Sequence, residues 1–567
     1  MRLPLAACVL LAAAPAAAFA HGGSYSPPGG AQPPSGPQVP PGTADPSSPV
    51  THWETWWAAN KESFLRLGEA MREAGGPTSR GLDRSKPKAQ ESAQAVRERR
   101  DAAVREALTP VFLEALADDS FEVRTAAAIA LGKSGAAEGS KPLREAAAKD
   151  KHKDVRDAAT LGLGLLGRTV DIPWLDGVLR DPKQNTRHRA FAAFALGLIA
   201  GEDAAASLLS FADGDPGMPA TFQHEPPELV ASTFVAMGMT CDDRVLPALR
   251  QALGSSRHDD SVRAFVVLSL GRMCDRESIG MLGRMLVTEK DPGLRRSAAI
   301  AIGRIARPQD TAAVDGLVAA VRGDADLVVR QFAAIALGSV GGDEVTARLE
   351  KFFAGADTPQ TARPFLALAL GLSRDADAVP MLRSALATET DESTKGAYCL
   401  ALGLIGDPSA AGLIEKQLAE RGRVWLQGYA ALALGVMRHT PSADLLYGRL
   451  TDENDPRLRA NLSVALGLLH DPRARTYLLA TLRREDATLY ERGGAAMAMG
   501  VLRMSDTFIE ITEVYRNKKE QDLVRAFCVV ALGLIADPAP YPKLARYAID
   551  NNYTLSIDPL NEVLSIL

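Results

Sequence analysis

His224 and Glu225 are neighbours in the stretch FADGDPGMPATFQHEPPEL, residues 211–229, which also carries Asp213 and Asp215. An imidazole and three carboxylates close together in sequence are groups that ligate zinc, iron or a similar divalent metal. These four residues are the candidate metal ligands of the chain, and a metal-dependent or lyase-like reaction would sit at this loop. Two other readings stand beside that one. The stretch can be an insertion the scaffold tolerates, or a partner-binding loop, because binding concentrates on loops held by rigid elements. The eight histidines form no HxxxH or HExxH pair, and the sequence holds no G-x-S-x-G, Walker or dinucleotide-binding pattern. No catalytic residue and no cofactor is therefore assigned.

A second group of residues is suited to binding rather than reaction. Three of the five tryptophans, Trp53, Trp56 and Trp57, fall in THWETWWAANKESFL, and with Phe64 and Leu67 they fit helical spacings of three, four and seven. Such a cluster can cover an apolar end, take a ligand or peptide, or touch a membrane. Phe191, Phe265, Phe332, Phe365, Tyr429 and Phe527 recur at one phase of a repeat and could line a concave groove for a peptide. Packing against neighbouring helices is the alternative for that stripe.

The elements that must hold these side chains are themselves repetitive. A glycine closes the phrase VRTAAAIALG, VRAFVVLSLG, VRQFAAIALG and their echoes at 132, 164, 197, 238, 271, 303, 338, 371, 403, 435, 467, 500 and 533. All spacings but one lie between 32 and 35 residues, and the exception contains the 211–229 segment. A sustained period of this size specifies a solenoid, and it overrides the several domains that 567 residues would otherwise suggest. Eight residues before the glycine stands Arg124, Arg156, Arg189, Arg263, Arg295, Arg330, Arg363, Lys395, Arg459, Arg492 or Arg525, with Val230 and Gln427 as exceptions. This basic ladder should pair with cap carboxylates and nearby carbonyls. Two residues before the glycine lies alanine in all but two copies, so backbones can approach closely there. Asp residues recur four before the basic position (Asp259, Asp291, Asp326, Asp391, Asp455) and four after the glycine (Asp242, Asp275, Asp375, Asp407, Asp471, Asp537). Both sets sit where helices need caps. Each period thus reads as two antiparallel helices, one outer and one inner.

The pattern [VL]-R-x-x-A-x-x-A-L-G-x-[LI]-G-D-P, recurring over about residues 105–540, resembles the HEAT-repeat superfamily in its short, phycobilisome-lyase-type form. The opening HGGSY, the Pro/Gly linker and W-x-x-W-W are similar to the start of certain exported bacterial HEAT-repeat proteins of no known activity. The resemblance implies an all-α, right-handed α-solenoid (superhelix) of about thirteen hairpins. Deoxyhypusine hydroxylase, a relative built on this fold, holds iron through repeated His-Glu pairs; His224-Glu225 is the only such pair here, so that activity is not expected.

The boundaries follow. Arg2, the apolar run after it and Ala18-Phe19-Ala20 read as a signal peptide, residues 1–20, which predicts export to the periplasm, cell envelope or medium. Residues 21–51, with nine Pro and six Gly, read as a disordered linker. Residues 52–108 are expected to hold an N-terminal Trp cap helix, a polar loop and a lead-in helix, 109–540 the solenoid, and 541–567 a C-terminal cap, because a solenoid's apolar ends need covering. Stacking at roughly 9 Å per hairpin would draw the solenoid into an arc of about 120 Å. A net charge of −5 argues against nucleic acid as a partner, and no apolar run in the mature chain is long enough to span a membrane. Cys241, Cys274, Cys399 and Cys528 are scattered and expected as free thiols. The functional expectation is a non-catalytic scaffold that binds a protein or peptide through an extended surface, with an envelope-assembly subunit as an alternative.

Overall fold

The computed structural model describes residues 51–65, 93–213, 222–255, 258–356, 358–539, 543–555 and 557–565. The signal sequence, the linker up to residue 50, the polar loop and Asp215 lie outside the described residues. Among the described residues every regular element is helical.

Thirteen hairpins form, each an outer helix followed by an inner one, from Ala93–Leu116 with Phe121–Ser134 to Phe508–Arg516 with Asp522–Ala536. The expected lead-in helix is the outer helix of the first hairpin, and it runs unbroken through Leu116. The boundary expected at 108 therefore falls inside an element. Inner helices are apolar on all sides and buried on all sides; in Arg363–Ser373 every residue from Pro364 to Gly371 is buried. Outer helices bury one stripe, as Leu143 and Ala147 do in Ser140–Lys149.

Both aspartate sets act as caps. Asp259, Asp291, Asp326, Asp391 and Asp455 accept backbone N–H groups at the starts of inner helices. Asp242, Asp275, Asp375 and Asp407 do the same at the 3-10 turns that open outer helices. Each cap satisfies an N–H that the helix itself leaves free.

Consecutive inner helices meet at the recurring glycine, which in most copies lies on the alanine of the next; Gly132 meets Gly162, Gly238 meets Ser269 and Gly467 meets the Leu502 side chain instead. A Cβ at Gly164 would stand 2.5 Å from Ala195 Cα, so only glycine permits this approach. The series does not stop at the thirteenth copy. Gly533 lies against Ala130 of the first inner helix, where a Cβ would be 2.6 Å from Ala130 Cβ. Helix Asp522–Ala536 packs on Phe121–Ser134 as closely as neighbours within the series pack on each other.

The basic ladder closes in the same way. Arg124 holds Asp150 at 2.8 Å, Arg295 holds Asp324 at 2.8 Å and Arg492 holds Glu520 at 2.8 Å, each acid lying in the loop that precedes the next inner helix. Arg525 of the last copy takes Asp118, which precedes the first inner helix. Lys518 joins Asp118 at 2.6 Å, and Arg516 reaches Glu114 at 2.8 Å. The solenoid is a closed ring rather than an open arc with two capped ends.

Candidate functional site

Thirteen inner helices spaced about 9–10 Å apart make a ring about 40 Å across between facing axes, or about 30 Å once helix thickness is removed. A hole of that width lined by apolar side chains must be filled. The two terminal segments fill it, and this corrects their assignment as end caps. The Trp helix, Trp53–Leu65, lies against mid-ring copies. The Trp53 indole N–H donates to Ser393 Oγ at 2.8 Å and Ser393 O at 3.1 Å, and its ring meets Tyr429 at 4.6 Å. Gln331 donates to Thr51 O at 2.9 Å. Burial raises the Glu54 carboxyl above its ordinary range, against the opposing hydrogen bond from Ser393.

The C-terminal segment crosses the hole beside it. Lys543 donates to Leu165 O at 2.7 Å, and Tyr547 Oη donates to Phe194 O at 2.7 Å. Asn552 Nδ2 donates to Gly293 O at 3.1 Å and Ser297 Oγ at 3.0 Å, and Tyr553 meets Phe332 edge to face at 5.0 Å. The final helix, Asp558–Ser565, places Glu562 on Arg187 at 2.6 Å. The two segments are tied together where Asp550 N donates to Asn60 Oδ1 at 2.8 Å.

At this junction lies a cavity of about 270 Å³. The Trp helix contributes Trp56 and Asn60, the C-terminal segment Asp550 and Asn551, and the ends of three consecutive inner helices the rest, among them Arg304, Phe332, Ser339 and Cys274. Arg304 is ion-paired with Asp550. Asn60 Nδ2 donates to Trp56 O at 2.9 Å, so that amide is engaged on both sides. Asn551 differs: it is 5 % exposed, and its Oδ1 accepts from no protein group. Burial pushes the neighbouring Arg272 guanidinium down, to about 10, and nearby Arg304 adds to the shift. Arg272 donates to Tyr547 O at 3.1 Å, while its Nε and Nη1 have no partner in the protein.

None of the cavity's polar residues stood out from the repeat itself. A signal was nevertheless present. The position after the recurring glycine is apolar in most copies but reads Lys133, Arg272, Arg304 and Ser339 in four. Those four polar departures lie on the side of the helix that meets the terminal segments.

Of the sequence candidates, Trp56 and Phe332 line this cavity and the others do not. Trp53, Trp56 and Trp57 are 2, 3 and 1 % exposed, and Phe191, Phe265, Phe332, Phe365, Tyr429 and Phe527 are all buried, so none of them is presented to an outside partner. Several of the stripe residues do face a concave surface, but the chain's own termini occupy it. At the 211–229 loop Asp213 and His224 are exposed, and Glu225 is held by the Arg189 guanidinium at 2.6 and 2.8 Å. Among the described residues no group of three or more His, Cys, Asp or Glu is placed to hold a metal. A carboxylate locked in a two-point ion pair is a poor ligand, and this removes Glu225 from the expected set.

Other ladder residues reach carbonyls or loop acids: Arg156 donates to Asp150 O at 2.8 Å, Arg330 to Asp324 O, Arg263 to Glu289 at 3.1 Å and Arg459 to Glu491 at 2.6 Å. Cys241 and Cys274 are exposed and Cys399 and Cys528 buried, all as free thiols. Burial pushes both Cys399 and Cys528 up, to about 12.

Comparison with known proteins bears on the repeat. A family model described as HEAT repeats matches residues 81–164, 218–303 and 281–364. A search of curated proteins gave no match. Among solved structures, human deoxyhypusine hydroxylase is 23 % identical, covers 48 % of this chain and 96 % of its own, with a TM-score of 0.22. The Escherichia coli protein YibA is 18 % identical, with 47 % and 94 % covered and a TM-score of 0.31. Kap121p bound to Nup53p is 14 % identical, with 82 % and 52 % covered and a TM-score of 0.34. At such scores these likenesses carry no functional argument. The repeat, its glycine-on-alanine stacking and the three family matches place this chain in the HEAT-repeat superfamily.

Proposed function

We propose that this protein is an exported, non-catalytic scaffold that binds a protein partner across the outer wall and rims of the ring. One observation carries the reading: the concave surface is taken by the chain's own ends, which leaves the outer helices as the extended face. In Ser140–Lys149 that face is polar, with Lys141, Glu145 and Lys149 exposed, while Val287 and Ile509 stand exposed on two other outer helices. Such a wall offers a large rigid area of charged side chains without deep pockets, which suits recognition by shape and charge pattern. Export rests on Arg2, the apolar stretch after it and the small residues Ala18 and Ala20.

Cross-linking in intact cells, followed by fractionation and N-terminal sequencing, tests both halves. The expected result is a chain beginning at His21, outside the cytoplasm, joined to one protein in molar ratio through outer-helix lysines. A chain that keeps residues 1–20 and stays in the cytoplasm, or one that remains alone after cross-linking, contradicts the proposal.

A further inference from the structure

Two carboxylates that the C-terminal segment carries into the ring meet arginines: Asp550 is paired with Arg304, and Glu562 with Arg187 at 2.6 Å. Glu54 of the Trp helix has no such cation. One of its oxygens accepts from the Ser393 hydroxyl, and the other, Oε2, is buried without a hydrogen-bond partner. The same hydroxyl accepts from the Trp53 indole at 2.8 Å, so the carboxyl sits in the contact that fixes the helix to the ring. The groups facing Glu54 leave its charge uncompensated. The exposed His52 lies just ahead of the helix. Asp391, a second carboxylate, stands at the start of Glu392–Ile405, where it caps Thr394 N at 2.7 Å. From Val424–Val436 comes Tyr429, whose hydroxyl is also buried without a partner. Arg423 and Glu392, at the starts of these two helices, hold each other at 3.2 Å.

An ionised carboxylate in this place has given up water at one oxygen and received a single neutral hydrogen bond, which does not offset the loss. We propose that the Trp helix is an acid-held latch: with Glu54 protonated, Trp53–Leu65 is locked into the ring, and ionisation of Glu54 loosens the helix from Ser393 and Tyr429. Burial raises the carboxyl above its ordinary 4.5, with the Ser393 hydrogen bond and His52 opposing and Asp391 adding to the rise. A carboxyl raised in this way stabilises the docked helix in full below 4.5, and that contribution is lost as pH climbs through the raised value. Lys61, further along the helix, acts in the opposite sense, because burial lowers it against the attraction of Glu62.

Three of the chain's five tryptophans lie on this helix, so tryptophan emission follows its docking. Acrylamide quenching of that emission is measured on the full chain from about pH 5 to about pH 8. Quenching of the unaltered protein is expected to rise several-fold across the range. Glu54→Gln keeps an acceptor oxygen for Ser393 and never ionises, so it should stay at the low level throughout and melt at a higher temperature than the unaltered protein at the alkaline end. His52→Asn, a change at an exposed position, should keep the full rise, which separates titration of the imidazole from that of the carboxyl. The proposal is overturned if quenching of the unaltered protein is flat or falls with pH, if Glu54→Gln shows the same rise, or if His52→Asn abolishes it.

Discussion

Trp53→Ala is expected to lower stability by about 4 kcal/mol, the usual cost of emptying a buried tryptophan site. The effect should appear far from the first hairpin. Trp53 is 2 % exposed, donates to Ser393, packs on Tyr429 and stands 3.2 Å from where a Cβ on Gly396 would be. Its removal leaves a cavity between the Trp helix and the inner helices Glu392–Ile405 and Val424–Val436. Hydrogen exchange should show protection lost first in those two helices. Loss confined to Phe121–Ser134 would mean that the Trp helix covers the start of the solenoid after all.

Arg525→Ala comes second in size. It removes the buried half of an ion-pair network whose Arg525 and Asp118 side chains are 4 and 2 % exposed, and leaves Asp118 with the exposed Lys518 at 2.6 Å as its remaining cation. Breaking a buried pair outright costs about 3–5 kcal/mol, and because Lys518 still offsets the Asp118 charge the loss here is expected at about 3 kcal/mol. The seam between the last and first hairpins should open, with a larger radius of gyration and faster exchange in Phe121–Ser134 and Asp522–Ala536. The pH dependence has a definite sign. Burial alone would raise the Asp118 carboxyl, but hydrogen bonds from Arg525 and Lys518 outweigh it and hold the group below its ordinary value of 3.8. A depressed carboxylate stabilises the fold above that value and loses its contribution as pH falls below it. The closed form should therefore open in acid below about pH 3.8, and Arg525→Ala should already be open at neutral pH.

Much of this architecture is legible in the residues. The period, the two helices per unit, the aspartate caps and the close glycine-on-alanine approach all follow from spacing and side-chain size, and each has its counterpart in named contacts. Closure is harder to read, because the repeat defines the unit while the path depends on a small rotation per unit, about 28° when thirteen complete a circle. Two pairs of residues nevertheless announce it. Gly533 and Arg525 equip the last hairpin to receive a successor, and Ala130 and Asp118 equip the first to receive a predecessor. True solenoid ends replace such residues with polar capping ones. The occupant of the hole was hidden for a different reason. Trp53, Trp56 and Trp57 show that an apolar surface needs covering, but the same amphipathic pattern serves an end or a centre equally well. Asn60 and Asp550 meet across a separation of 490 residues, which no local spacing encodes.

The central claim is that the chain closes on itself, and a cross-link between its two ends tests it most directly. In a chain with Cys241 and Cys274 changed to serine, Glu114→Cys and Arg516→Cys place thiols where an exposed ion pair now spans 2.8 Å. Cys399 and Cys528 stay silent because both are buried. A short bismaleimide should join residues 114 and 516 within one monomer, in high yield and independent of protein concentration. Cross-links that form only between molecules, or none at all, would show the ends standing apart and the ring to be open.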